Sequence, residues 1–98
     1  MIYFDWIAEE LNIRYSSLKA CVQLLDEGST LAFIARYRKS QTSGLKEEQV
    51  EKIEERLAYY RKLEKRKESI LKSLEDQKVL DPIKRAAIEK IRSTTELE

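Results

Sequence analysis

Apolar residues recur at helical spacing along almost the whole chain, and the places where the spacing fails divide it into five segments. Ile2, Trp6, Ile7 and Leu11 share one helical face, with Asp5, Glu9 and Glu10 opposite. Asn12 to Tyr15 breaks this period, and Ser16 or Ser17 offers a side-chain oxygen to cap a second helix, whose stripe is Leu18, Val22 and Leu25 with Cys21 beside them. Gly28 closes that helix. Ser29 or Thr30 caps the next, so Leu31-Ala32-Phe33-Ile34-Ala35 reads as a short third helix plugging the core, with Trp6 and Phe4 as neighbours. From Leu45 no breaker occurs until about Lys78, and Val50, Ile53, Leu57, Tyr60, Leu63, Ile70, Leu71 and Leu74 mark one helix of about thirty residues. Its stripe is interrupted at Glu64-Lys65-Arg66-Lys67-Glu68, which predicts a section exposed nearly all round. Asp81-Pro82 starts a last helix, with Asp as N-cap and Pro at the first helical position, and Ile83, Ala87, Ile88 and Ile91 give it an apolar face.

The expected fold is therefore all-α: three short helices with a helix-turn-helix-like start, one long charged helix and one further C-terminal helix. The corresponding organisation is an N-terminal bundle over residues 1–39, a polar loop over 40–44, and the long and last helices over 45–98. Composition agrees, because 38% of residues are charged while Gly numbers 2 and Pro 1, leaving little material for the tight turns of a β-rich fold. Ninety-eight residues make one domain at most, and the absence of a stop signal after Ser93 reads as a fragment of a larger protein.

Charge refines this picture. The net charge is only +1, but residues 1–35 carry Arg14 and Lys19 against five carboxylates, a net of −3, which places +4 in residues 36–98. Two clusters carry the basic potential. Arg36-Tyr37-Arg38-Lys39 joins three cations to an aromatic ring, a composition suited to phosphate contact with stacking; Asp26 and Glu27 could instead pin Arg36 or Arg38 in an ion pair. Arg61-Lys62-Glu64-Lys65-Arg66-Lys67, beside Tyr59 and Tyr60, is the second and reads more readily as a solvated helix face than as a groove that tracks a nucleic-acid backbone. The candidate nucleic-acid contacts are Arg36, Arg38, Lys39, Arg61, Lys65 and Arg66. Sequence-specific reading of bases by the third helix is disfavoured, since it offers methyl groups and a ring where base edges need polar side chains.

Enzymatic chemistry finds little support. There is no histidine, the two glycines Gly28 and Gly44 form no phosphate loop, and no zinc site is expected from one cysteine. Cys21 falls among core positions, and the carboxylate pairs Glu47-Glu48 and Glu54-Glu55 have Lys46, Lys52 and Arg56 close by on the same helix. No catalytic residue, cofactor or metal is expected. A lone cysteine and the lack of a long apolar run point to a soluble cytoplasmic protein without a membrane partner.

Leu24-Leu25-Asp26-Glu27-Gly28-Ser29-Thr30, then Phe33-Ile34-Ala35-Arg36-Tyr37-Arg38-Lys39 and Thr42-Ser43-Gly44-Leu45, resemble the N-terminal region of the Tex family of transcription accessory proteins. Glu55-Arg56-Leu57, Leu63 to Lys67, Ile70-Leu71 and the segment from Leu80-Asp81-Pro82 to Ile91 extend the resemblance over nearly the whole chain. Ala32 and Ser40 depart from it, standing where proline and an acidic residue are common. The resemblance implies a parent protein in transcription or RNA metabolism. It also implies that the parent continues into other domains, a catalytically degenerate nuclease-like domain, helix-hairpin-helix elements and an S1 domain that binds RNA or DNA, with transcription machinery as a further expected partner. This segment would be their helical scaffold, or alternatively an auxiliary nucleic-acid-binding module through its basic loop and helix. A freestanding coiled-coil adaptor is disfavoured by the interruption at Glu64 to Glu68. Alone, the apolar stripe requires either folding back of the last helix or self-association.

Overall fold

The computed structural model describes residues 2–93, and among these it contains helices and turns without strands. Six helices follow in order: α1 (Ile2–Leu11), α2 (Tyr15–Asp26), α3 (Leu31–Tyr37), α4 (Lys39–Thr42), α5 (Glu47–Asp76) and α6 (Pro82–Glu89). They fall into two compact units, residues 1–58 and 59–98, and α5 contributes to both.

In the first unit α2 is the hub, with α1, α3 and α4 packed on it. Its Leu18, Cys21, Val22 and Leu24 are buried with Tyr3, Trp6 and Ile7 of α1, Ile34 of α3, and Leu45, Val50, Ile53 and Leu57 around and along the start of α5. Fully burying one such aliphatic side chain stabilises by roughly 1.5–3 kcal/mol, which makes this stripe the main source of stability. Arg56 adds an exposed tie, its Nε lying 2.9 Å from Glu10 Oε1. The face of α1 is rotated from the expected one: Tyr3 is buried in place of Ile2, which stands exposed, because Tyr3, Trp6 and Ile7 form the tighter i, i+3, i+4 set.

Three further expectations need correction. Helix α2 starts at Tyr15 with Arg14 as N-cap and no side-chain cap, so neither Ser16 nor Ser17 plays that part; Ser17 is buried in the first turn. The third helix does not plug the core as a block, since Ile34 alone is fully buried while Phe33 stays 37% exposed. Seven residues make about two turns, enough to turn one large side chain inward. Residues 40–44 are not a plain loop. Lys39–Thr42 forms the helical turn α4, and Thr42 is completely buried. Its hydroxyl donates to the Arg38 carbonyl and accepts from the Leu45 N–H, both at 3.3 Å, clasping the end of α3 to the approach of α5.

The ends of the helices follow expected chemistry at several points. Gly28, at φ +94°, closes α2 with Ser29 N–H bonded to the Leu24 carbonyl and Gly28 N–H to that of Leu25. Thr30 caps α3 by accepting from Phe33 N–H at 3.2 Å, and Asp81 caps α6 by accepting from Lys84 N–H at 2.8 Å, with Pro82 behind it. Gln49 Oε1 accepts from Lys46 N–H at 2.8 Å, one half of a capping box. At the other end of α5, Lys78 adopts φ 60° so that Val79 N–H reaches the Leu74 carbonyl at 3.0 Å.

In the second unit Tyr60, Leu63 and Lys67 are buried along α5. Lys67, only 2% exposed, overturns the expectation that residues 64–68 face solvent all round. It falls on the period of Leu63 and Leu71, its methylene stem occupies that stripe, and its ammonium donates to the Glu89 carbonyl at 3.0 Å and lies 3.4 Å from Glu64 Oε1. A cation is favoured there, because Glu89 ends α6 and carries the negative end of its dipole. With Arg85 Nη2 lying 3.9 Å from Glu75 Oε2, these contacts hold α6 folded back along α5. The expected apolar face of α6 is only partly used: Ile88 and Ile91 are half-buried, while Ile83 is 82% exposed.

Thr42→Val should lower stability by about 1–3 kcal/mol in urea titration, because the isosteric methyl leaves the Leu45 N–H buried without an acceptor, whereas Thr42→Ser should recover most of the loss. Lys78→Gly should raise stability by on the order of 1 kcal/mol, read from thermal melting, by relieving the left-handed backbone of a residue with a Cβ. Burial, aided by the Glu54 carboxylate, pushes the Cys21 thiol up from 9.0 to about 11. The unfolded chain therefore loses its thiol proton first, so this contribution to stability is complete below pH 9 and is lost as pH rises from 9 to about 11. Urea titrations across that range should show a smaller decline in Cys21→Ala than in the parent chain.

Candidate nucleic-acid interface

The six candidate cations divide between the two units. Arg36, Arg38 and Lys39 lie at the corner where α3 gives way to α4, in the first unit. Arg61, Lys65 and Arg66 lie on the exposed surface of α5 in the second, with Arg61 and Lys65 one turn apart on the same side.

The α3/α4 corner is set by the clasp at Thr42. Arg38 occupies the junction between the helices and is half-buried, with its guanidinium carbon 4.7 Å from the centre of the Phe33 ring and Nη1 donating to the Tyr37 carbonyl at 3.1 Å. This is cation–π geometry, and it holds the arginine against the surface. Phe33 and Tyr37 are one helical turn apart, with ring centres 5.4 Å apart and planes tilted by 49°. Tyr37 is 61% exposed. Arg36 and Lys39 are exposed, one residue before and two residues after Tyr37 in sequence, and among the described residues neither is ion-paired. Among the described residues neither Arg36 nor Arg38 is pinned by Asp26 or Glu27 as expected: Arg38 turns to Phe33, and Glu27 accepts from the Gln23 side chain at 3.4 Å.

Sequence reasoning located the cations of this corner and missed Phe33 as a surface residue. The i, i+4 spacing of Phe33 and Tyr37 was the available signal, because two rings so placed share one face of a helix. In the second cluster the tyrosines have separate fates. Tyr60 is buried and unavailable for stacking, while Tyr59 is half-buried with its ring edge-on to Tyr60 at 5.5 Å.

Other features gather no reactive groups. Cys21 is a buried free thiol in the α2 core. A depression of about 330 Å³ beside Glu10, Leu11, Glu48 and Lys52 mixes charges of both signs, as does one of about 480 Å³ beside Glu75, Lys78, Asp81 and Arg85. Among the described residues no group of three metal-ligating side chains converges, and no helix is long and apolar enough to cross a membrane.

Comparison with known proteins gives a consistent result. The profile of the Tex-like protein N-terminal domain matches residues 1–75. Protein YhgF of Escherichia coli is 48% identical over 92 residues, and the transcriptional accessory protein Tex of Neisseria gonorrhoeae is 45% identical over 92 residues; each alignment covers 94% of this chain and 12% of the relative. Protein tex of Bordetella pertussis is 41% identical over 76 residues, covering 78% of this chain and 10% of the relative. The chain thus spans about an eighth of the length of its first relatives. With three quarters of its residues matched by the family profile, the chain belongs to the Tex family and carries that family's N-terminal domain.

Proposed function

We propose that this chain is the structural and interaction segment of a Tex-like transcription accessory protein, one that binds RNA or DNA through other domains. The segment itself performs no catalysis, works in the cytoplasm, and has the remainder of the parent protein as its principal partner. The observation that carries this reading is the unfilled apolar surface of the second unit, where Ile83 is 82% and Val79 45% exposed beside a helix that already folds back on α5. Side chains of this kind gain by being covered, and other domains of the parent are the nearest available cover. Helix α5 supports the reading by its length, since thirty residues span about 45 Å, enough to brace more than one neighbour. Relatives about eight times as long leave ample chain for such neighbours.

The reading is tested by adding this chain in trans to a Tex-like protein lacking its N-terminal domain. Calorimetry should show association, weakened about tenfold or more by Ile83→Asp, and the truncated protein should melt at a higher temperature with the chain bound. Its remaining domains should still bind nucleic acid without the segment. Absence of association, together with unchanged melting, would sink the scaffold reading.

A further inference from the structure

We propose that the α3/α4 corner is a stacking site for single-stranded nucleic acid, with Tyr37 as the open platform for an unpaired base and Arg36 and Lys39 as contacts to the flanking phosphates. The site lies wholly within the first unit and is independent of the surface assigned above to the remainder of the parent protein.

Three observations converge here. The first is charge: from Leu31 to Lys46 the chain carries Arg36, Arg38, Lys39 and Lys46 and no carboxylate, although 18 Asp and Glu residues are spread over the whole chain. A stretch of one sign on an otherwise balanced chain attracts a polyanion. The second is the rings. Phe33 and Tyr37 stand together on α3, both more than a third exposed, where burial would be expected for side chains of this size. The third is the division of labour among the cations. Arg38 covers one ring, at 4.7 Å from Phe33, which leaves Tyr37 uncovered and Arg36 and Lys39 without an ion-pair partner among the described residues.

The chemistry favours a single strand over the other polyanions. A duplex hides its base faces and is read through base edges, for which Ala32, Phe33 and Ile34 offer no donors or acceptors. An acidic peptide would satisfy the cations and leave Tyr37 without a partner of its own shape. A single strand supplies both a ring to stack and phosphates on each side of it, and the preference is tolerant of sequence because every base has a π-face.

The test is fluorescence anisotropy of this chain with four labelled probes: a short oligouridylate, the same backbone without bases, a duplex of equal length and a polyglutamate peptide. The oligouridylate should bind about tenfold more tightly than the abasic backbone, and Tyr37→Ala should lose about tenfold while Tyr37→Phe retains parental affinity. Arg36→Glu with Lys39→Glu should weaken binding and flatten its salt dependence. Tyr37 is exposed, so circular dichroism should report parental helicity for these variants. The proposal is overturned if the oligouridylate does not bind at low salt, if Tyr37→Ala binds it as the parent does, if abasic and base-bearing strands bind alike, or if polyglutamate or duplex binds more tightly. A polyglutamate preference would assign the corner to an acidic protein partner instead.

Discussion

The first unit depends on the burial of one face of α2. Leu18 and Cys21 are fully enclosed on that face, and the helices on either side in sequence, α1 and α3, pack against it together with α4. A chain of this size has few apolar groups to hide, so a single shared stripe must serve all of them. The rest of the unit follows from keeping that stripe covered. Val50, Ile53 and Leu57 turn inward on α5, while the charged residues between them remain outside.

The surface of the α3/α4 corner is a by-product of the same packing. Ile34 occupies the inward direction of α3, and a helix of seven residues then has to turn Phe33 and Tyr37 outward. Thr42 does the corresponding work for α4. Its buried hydroxyl bonds to both sides of the corner, so Arg38 and Lys39 are presented by a fixed turn and not by a mobile linker. An aromatic pair, a cation held against one of its rings and two cations without an ion pair among the described residues therefore share a small region of surface, with their positions set by buried contacts.

Lysine has opposite uses in the two units. Lys39 is exposed on α4, with no ion-pair partner among the described residues. Lys67 is buried on α5, where its stem continues an apolar stripe and its ammonium meets the last carbonyl of α6. The cation is tolerated because it is hydrogen-bonded at a helix C-terminus, and removing its partners would leave an uncompensated charge. A charged section of the long helix thus becomes a point of attachment for the following helix.

Local chemistry was sufficient for much of this architecture. The 30-residue helix ends close to the limits set by Gly44 and Lys78, Gly28 terminates α2, and Thr30 and Asp81 cap α3 and α6, because propensity and capping act over a few neighbouring residues and are written directly in them. The all-helical class, the membership of the family and the positions of the cations were legible for the same reason. Tertiary packing alone decided which side of α1 faces inward, that Thr42 closes a helical turn, that Lys67 is buried, and that Phe33 is left outside to stack with Arg38. Each of these depends on what lies across the space from a residue: period and polarity describe the faces of a helix, and only the neighbouring helices determine which face is covered.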